Sequence, residues 1–163
     1  MAISQTTDPT LLSRAALKAR IDAIPRVSLA HLPTPLEACP HLSEVLAGPD
    51  IYIKRDDLTG LAFGGNKTRQ LEFLLADVLT RDIDIIVAGA YTQSNWCRQI
   101  TAATRKLKLD VALVLIHGEK GPVQQGNLLL DQLMGADVSV CNIDDIQQLP
   151  PLLEKKAAEL AAA

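Results

Sequence analysis

The chain has 163 residues, of which 48% are hydrophobic and 21% charged, with a formal net charge of -3 and a pI near 5.6. That composition suits an ordinary globular chain with one core or one and a part, and argues against a disordered one. The weak negative charge and scattered basic residues exclude a nucleic-acid footprint, and no stretch approaches the roughly 20 apolar residues of a membrane span, so a small molecule or another protein is the expected partner.

Apolar residues from Leu11 to Ile24 recur at near-helical spacing and predict a helix, after which Pro25, Pro33, Pro35 and Pro40 break an irregular arm. IYIKR, residues 51 to 55, alternates like a strand. Leu71, Leu74, Leu75, Val78 and Leu79 repeat along one helical face, which puts Lys67 in that helix's first turn. The apolar run from Ile85 to Ala90 reads as a buried strand, and Asn95 to Leu107 as a helix capped by Ser94. VALVLIHG from Val111 is a further strand, Gly126 to Met134 a helix closed by Gly135, DVSVC from Asp137 a strand, and a last helix follows Pro150 and Pro151. Strands alternating with helices imply crossover units: an α/β fold with an open, twisted parallel sheet and helices on both faces.

The three cysteines, Cys39, Cys97 and Cys141, are odd in number, far apart and in no metal-ligand spacing, which suits the cytoplasm better than secretion. The start MAISQTTDPT has no basic flank followed by an apolar stretch, so no targeting segment is expected there. Cys97 falls in a helix's first turn, where a thiolate is favoured, but no histidine is near it in sequence. Asp56-Asp57, flanked by Lys54 and Arg55, reads as a charged loop positioning the next turn rather than a catalytic carboxylate pair, and His117 as a strand-end residue.

Two loops are chemically loaded. GGNKTRQLEF, residues 64 to 73, brings paired glycines and a lysine to a helix start. Gly60 and Gly65 have the separation of a phosphate-binding loop, but that loop needs its lysine directly after the last glycine, and here Asn66 intervenes. A cation is poorly placed at the positive end of a helix, which favours the neutral amine that attacks a carbonyl; Lys67 thus reads as a Schiff-base lysine, with a plain surface lysine as the bland alternative. The paired glycines would let another body approach the backbone closely. In the second loop, AYTQSNW, Gln93, Ser94 and Asn95 bring amides and a hydroxyl to a helix N-terminus that favours an anion such as a carboxylate; simple capping explains the same residues.

The runs HLPTPLE (31 to 37), IYIKRDDLTG (51 to 60), GGNKTRQLEF (64 to 73) and AGAYTQSNWCRQ (88 to 99) resemble, in the same order, the D-cysteine desulfhydrase and 1-aminocyclopropane-1-carboxylate (ACC) deaminase family. That family belongs to the fold-type-II pyridoxal-phosphate enzymes, typified by the tryptophan synthase β chain. The resemblance extends from about His31 to near Asn142 and implies pyridoxal 5'-phosphate as cofactor, with Lys67 bound to it as a Schiff base. It further implies that Lys67 and Ser94 are catalytic, that Asn95 bonds the pyridine hydroxyl, and that Gln93, Ser94 and Asn95 receive the carboxylate of a small amino-acid substrate. D-cysteine would give pyruvate, ammonia and sulfide, while the cyclopropane substrate would undergo ring opening. Where the family often has His or Gln, this chain carries Trp96.

Family members are nearer double this length, and their glycine-rich phosphate cup lies in the later half; the only adjacent glycines here are Gly64 and Gly65. The chain thus resembles an N-terminal half. Residues 1 to 66 would be an arm and segment of the larger cofactor domain, and 67 to 163 the smaller α/β domain. Exposed apolar surface is therefore expected around IYIKR and the proline-rich arm unless another chain, a second copy or a complementing C-terminal half, covers it. A lyase or deaminase polypeptide and a catalytically silent binding or assembly module both remain compatible with these residues.

Overall fold

The computed structural model describes residues 12–118, 121 and 123–162. Helix α1, Arg14–Asp22, begins where the Ser13 hydroxyl accepts from Ala16 N, and buries no residue. Leu11, where the periodicity begins, and the MAISQTTDPT segment lie outside the described residues.

Along the proline-rich arm, strand β1 (Leu36–Ala38), helix α2 (Pro40–Leu46) and strand β2 (Tyr52–Lys54) follow. β2 is the expected IYIKR strand in shortened form, and it does not join a parallel sheet. It pairs antiparallel with β1 alone, Leu36 opposite Lys54 and Ala38 opposite Tyr52. Two short 3-10 turns, Asp56–Thr59 and Leu61–Phe63, lead to helix α3, Lys67–Val78.

From there the alternation expected from the sequence holds: β3 (Ile85–Tyr91), α4 (Asn95–Lys106), β4 (Asp110–Ile116), α5 (Gly126–Leu133), β5 (Asp137–Cys141), then α6 (Leu149–Ala161). The three strands form one parallel sheet in the order β3-β4-β5, Val87 opposite Ala112 and Val114 opposite Ser139. As the central strand, β4 is covered on both sides, which is why its sequence is a continuous apolar run instead of an alternation. Val111, Leu113 and Leu115 pack with Leu71 and Leu75 of α3, Cys97 and Ile100 of α4 and Leu128 of α5. Val114 and Ile116 point the other way, onto Leu149, Leu152 and Leu153 of α6.

Helix α6 does not wait for its two prolines. It begins at Leu149 with Pro150 and Pro151 inside its first turn, where a missing N–H costs nothing because those groups lack intrahelical acceptors anyway. Gly135, at φ 86°, closes α5 in the left-handed region. Among the described residues no helix is long and apolar enough to cross a membrane.

Candidate active site

The turn before Lys67 is held from inside. Gly65 N donates to Asp56 O at 2.8 Å and to Thr59 Oγ1 at 2.9 Å, while the Thr59 hydroxyl reaches Gly65 O at 3.0 Å. Both glycines have left-handed φ, and a Cβ on Gly64 would sit 1.8 Å from Asp57 O, one on Gly65 2.2 Å from Gln99 Nε2. The close approach expected at these glycines is therefore made by the chain's own loop and by α4. Ala62 and Phe63 also adopt positive φ, at roughly 1–2 kcal/mol each, a local strain that the surrounding bonds must hold.

Gln99, buried on α4, completes the start of α3. Its Oε1 accepts from Thr68 N at 2.8 Å and from the Thr68 hydroxyl at 2.7 Å, and its Nε2 donates to Gly64 O at 3.1 Å. On the outer side Arg69 pairs with the Asp56 carboxylate, 2.7 Å from Nη2, and bonds Thr34. The Arg69 bond holds the Asp56 carboxyl below its ordinary range despite partial desolvation. Asp57 is likewise held low by Arg55. The Asp-Asp pair thus positions the turn, as its flanking charges suggest. Lys67 itself is the half-buried first residue of α3. Thr68 and Arg69 beside it are both engaged, whereas among the described residues no hydrogen bond or ion pair occupies the Lys67 amine.

The second turn lies where β3 ends. The Ser94 hydroxyl caps α4, accepting from Trp96 N at 3.1 Å and Cys97 N at 3.3 Å, so the bland reading of this serine is fulfilled in full. Gln93 spans to the start of α5: its Oε1 accepts from Asn127 N and its Nε2 donates to Gln125 O. Asn95 Oδ1 accepts from Asn127 Nδ2 at 3.0 Å and from Arg98 Nη1 at 3.2 Å, and no bond to its Nδ2 is present among the described residues. Beside them, at the carboxyl ends of β3 and β4, opens a cleft of about 680 Å³ lined by Tyr91, Thr92, Gln93, Ser94 and His117, with Asp144 at its edge. That is where parallel sheets hold ligands.

Lys67 and Asn95 do not line this cleft. What joins the two turns is a pair of neighbouring side chains on α4: Arg98 Nη2 donates to Gly64 O at 3.0 Å, next to the Gln99 bond. Sequence reasoning missed Arg98, Gln99 and Asn127; polar residues interrupting an otherwise apolar helix face, in CRQIT, were the available signal. Cys97 is fully enclosed and burial pushes its thiol up to about 12, which leaves it inert at neutral pH. Trp96 packs against the core, and His117 ends the strand and lines the cleft.

A profile of the family described as pyridoxal-phosphate dependent enzyme matches residues 27–163. The chain belongs to that family. It is 42% identical over 145 residues to a putative 1-aminocyclopropane-1-carboxylate deaminase of Pyrococcus abyssi, covering 86% of this chain and 43% of that protein. It is 40% identical over 149 residues to a D-cysteine desulfhydrase of Serratia proteamaculans, covering 88% of this chain and 45% of that protein. The solved structure of an ACC deaminase homologue superposes with a TM-score of 0.79 at 40% identity, over 87% of this chain and 42% of that one. The chain thus spans less than half the length of these relatives, and the parallel sheet flanked by helices is part of a fold-type-II architecture.

Proposed function

We propose that this chain carries the lysine and the substrate-carboxylate turn of a pyridoxal-phosphate-dependent lyase or deaminase for a small amino acid, of the D-cysteine desulfhydrase or ACC deaminase kind. One observation carries the reading most directly. Gly64 O, three residues before Lys67, is bonded by both Arg98 and Gln99, so the amine and the Gln93-Ser94-Asn95 turn are mounted on the same first turns of α4.

The available donors fit the cofactor. Lys67 offers an unengaged amine to an aldehyde, and Asn95 offers an NH2 left over once its oxygen is saturated, suited to the pyridine hydroxyl. When bound, the cofactor supplies an electron sink for the substrate's α-carbon. Around it, Lys67 holds and then moves the α-proton through Nζ, as the catalytic base. Ser94, catalytic with it in this reading, has a hydroxyl proton still free while its lone pairs cap the helix; with Asn95 and the backbone at the start of α4 it would orient the substrate carboxylate. Gln93 contributes by holding α5 against this turn.

Residues 1–66 are then a segment of a larger cofactor domain and 67–163 the smaller domain, with a second copy or a complementing C-terminal half over the exposed apolar arm. Three free cysteines support a cytoplasmic setting. A second reading, a silent assembly module of the same family, draws on Gln93, whose amide oxygen and nitrogen are both spent on internal bonds.

The test is to incubate the protein with pyridoxal phosphate, look for absorbance near ~420 nm, reduce with borohydride and map the modified peptide. Label concentrated on Lys67 and abolished in Lys67→Ala is expected. Label scattered over surface lysines would favour the silent module.

A further inference from the structure

A carboxamide has one accepting and one donating end, and at ordinary precision only its neighbours decide which end lies where. For Asn95 the decision is forced. Arg98 is a donor alone, with no atom that accepts a hydrogen bond, so the Asn95 atom 3.2 Å from its Nη1 must be the oxygen. Asn127 is fixed by the same group: its Oδ1 accepts from Arg98 Nη1 at 2.9 Å, which turns its Nδ2 toward Gln93 O at 2.8 Å and Asn95 Oδ1 at 3.0 Å. One guanidinium therefore orients two amides. Its other arm reaches Gly64 O at 3.0 Å, in the turn that delivers Lys67.

Behind it, between α4 and α5, lie the fully buried Asp131 and Thr101. Both carboxyl oxygens of Asp131, the Thr101 hydroxyl and Arg98 Nε are enclosed without a hydrogen-bond partner. Burial lowers the Arg98 pKa, and attraction to Asp131 opposes this. The planar, two-armed head of arginine is thus stationed at a seam where α3's approach, α4 and α5 meet.

We infer that Arg98 is a positioning residue: it turns the Asn95 amide so that the NH2, not the oxygen, is the free end, and it registers that amide against the Gly64–Lys67 turn. The inference deepens the proposed function in what the free NH2 would meet; the orientation itself stands on this chain's own contacts. Arg98 touches neither substrate nor cofactor in this assignment.

The experiment uses the whole chain and compares R98M, R98K and N95D with the parent. Amide hydrogen exchange is followed in the turn at residues 64–68 and, as a folding control, in β4; pyridoxal-phosphate affinity is read from borohydride-fixed label on Lys67. In R98M exchange in the turn should rise about tenfold, with β4 protection unchanged, and affinity should fall by a similar factor. R98K should rescue neither, because its donors all sit on one nitrogen and cannot reproduce the fixed fork in which Nη2 meets Gly64 O while Nη1 meets the two amides. N95D retains an acceptor for Arg98 but has no NH2, so the turn should stay protected while affinity drops.

Unchanged exchange in the turn of R98M, with β4 intact, overturns the inference. So does full rescue of both readouts by R98K, which also decides the matter if R98M does not fold. Should the parent fix no cofactor on Lys67, the proposed function fails, and the exchange comparison still judges the role of Arg98.

Discussion

Two stretches of this chain are similarly rich in apolar residues and use them in opposite ways. In residues 67–162 the strands and helices close on β4, whose Val111 to Ile116 are all buried. In residues 12–66 neither strand and neither α-helix buries a single residue: Leu36 is 62% exposed, Val45 66%, Tyr52 55% and Ile53 48%. The difference is one of partners. A β-strand can hide one face only against a second layer, and the β1-β2 ribbon has none. The apolar surface expected around IYIKR and the proline-rich arm is there. The arm is attached to the rest at one apolar point, Leu29, which is buried in the core with Val27 and Leu61 beside it, and by a set of polar bonds. Glu72, buried on α3, accepts from Leu29 N and Ala30 N at 2.9 Å each and pairs with Arg26. Burial pushes the Glu72 carboxyl up, but those donors outweigh it and hold it below its ordinary range.

The packed region is most sensitive at the centre of the sheet. Leu113 is fully enclosed, between the sheet and the α3–α4–α5 layer. Leu113→Ala should cost about 2–5 kcal/mol, read from urea unfolding monitored by circular dichroism, because the lost transfer energy is compounded by a cavity the sheet cannot collapse into. A cost below about 1 kcal/mol would mean that the sheet is not the stable body of this chain.

A smaller effect separates the packed region by its charge chemistry. Burial pushes Asp131 up from 3.8 to about 7, against the nearby Thr101 hydroxyl and Arg98. The folded chain then keeps a proton that the unfolded chain releases, so between about pH 4 and pH 7 the native state binds more protons and stability falls as pH rises. Asp56 and Glu72, held low, act in the opposite sense, their contribution vanishing in acid. Asp131→Asn should remove the decline above pH 4 and leave the acid limb untouched, which thermal midpoints measured across that range will show. An unchanged decline would place its source elsewhere.

The packed half was readable from sequence because its signals are local: the uninterrupted VALVLI run, the Ser94 cap, the 71/75/78 stripe of α3. The Asp-Asp loop was readable from its flanking charges. Much of the candidate site was not, since its order comes from long-range pairs. Arg98 meets Gly64, and Asn127 meets Gln93 and Asn95, across some thirty residues of chain. No local pattern announces that one guanidinium will orient two amides. The β1-α2-β2 segment was hidden for a different reason. Short strands exposed on both faces have no burial period to reveal, and the alternation in IYIKR, which reads as half-buried, marks a face with nothing on it.

The β1-β2 ribbon is also where a substitution should disturb the fold least. Ile53 lies in β2, opposite Glu37 of β1, and both faces of the ribbon meet solvent. Ile53→Ser removes a side chain that is 48% exposed and belongs to neither buried cluster, so the unfolding free energy should stay within about 0.5 kcal/mol of the parent. If the ribbon is the docking face of a second copy or a complementing half, the same change acts on association instead. Sedimentation over a range of concentrations should then show weaker self-association, or binding to a separately expressed C-terminal half should weaken, at unchanged monomer stability. A loss above about 1 kcal/mol in the dilute monomer would mean that Ile53 is already packed, and the contrast between the two regions would fail at the residue where it is most exposed to test.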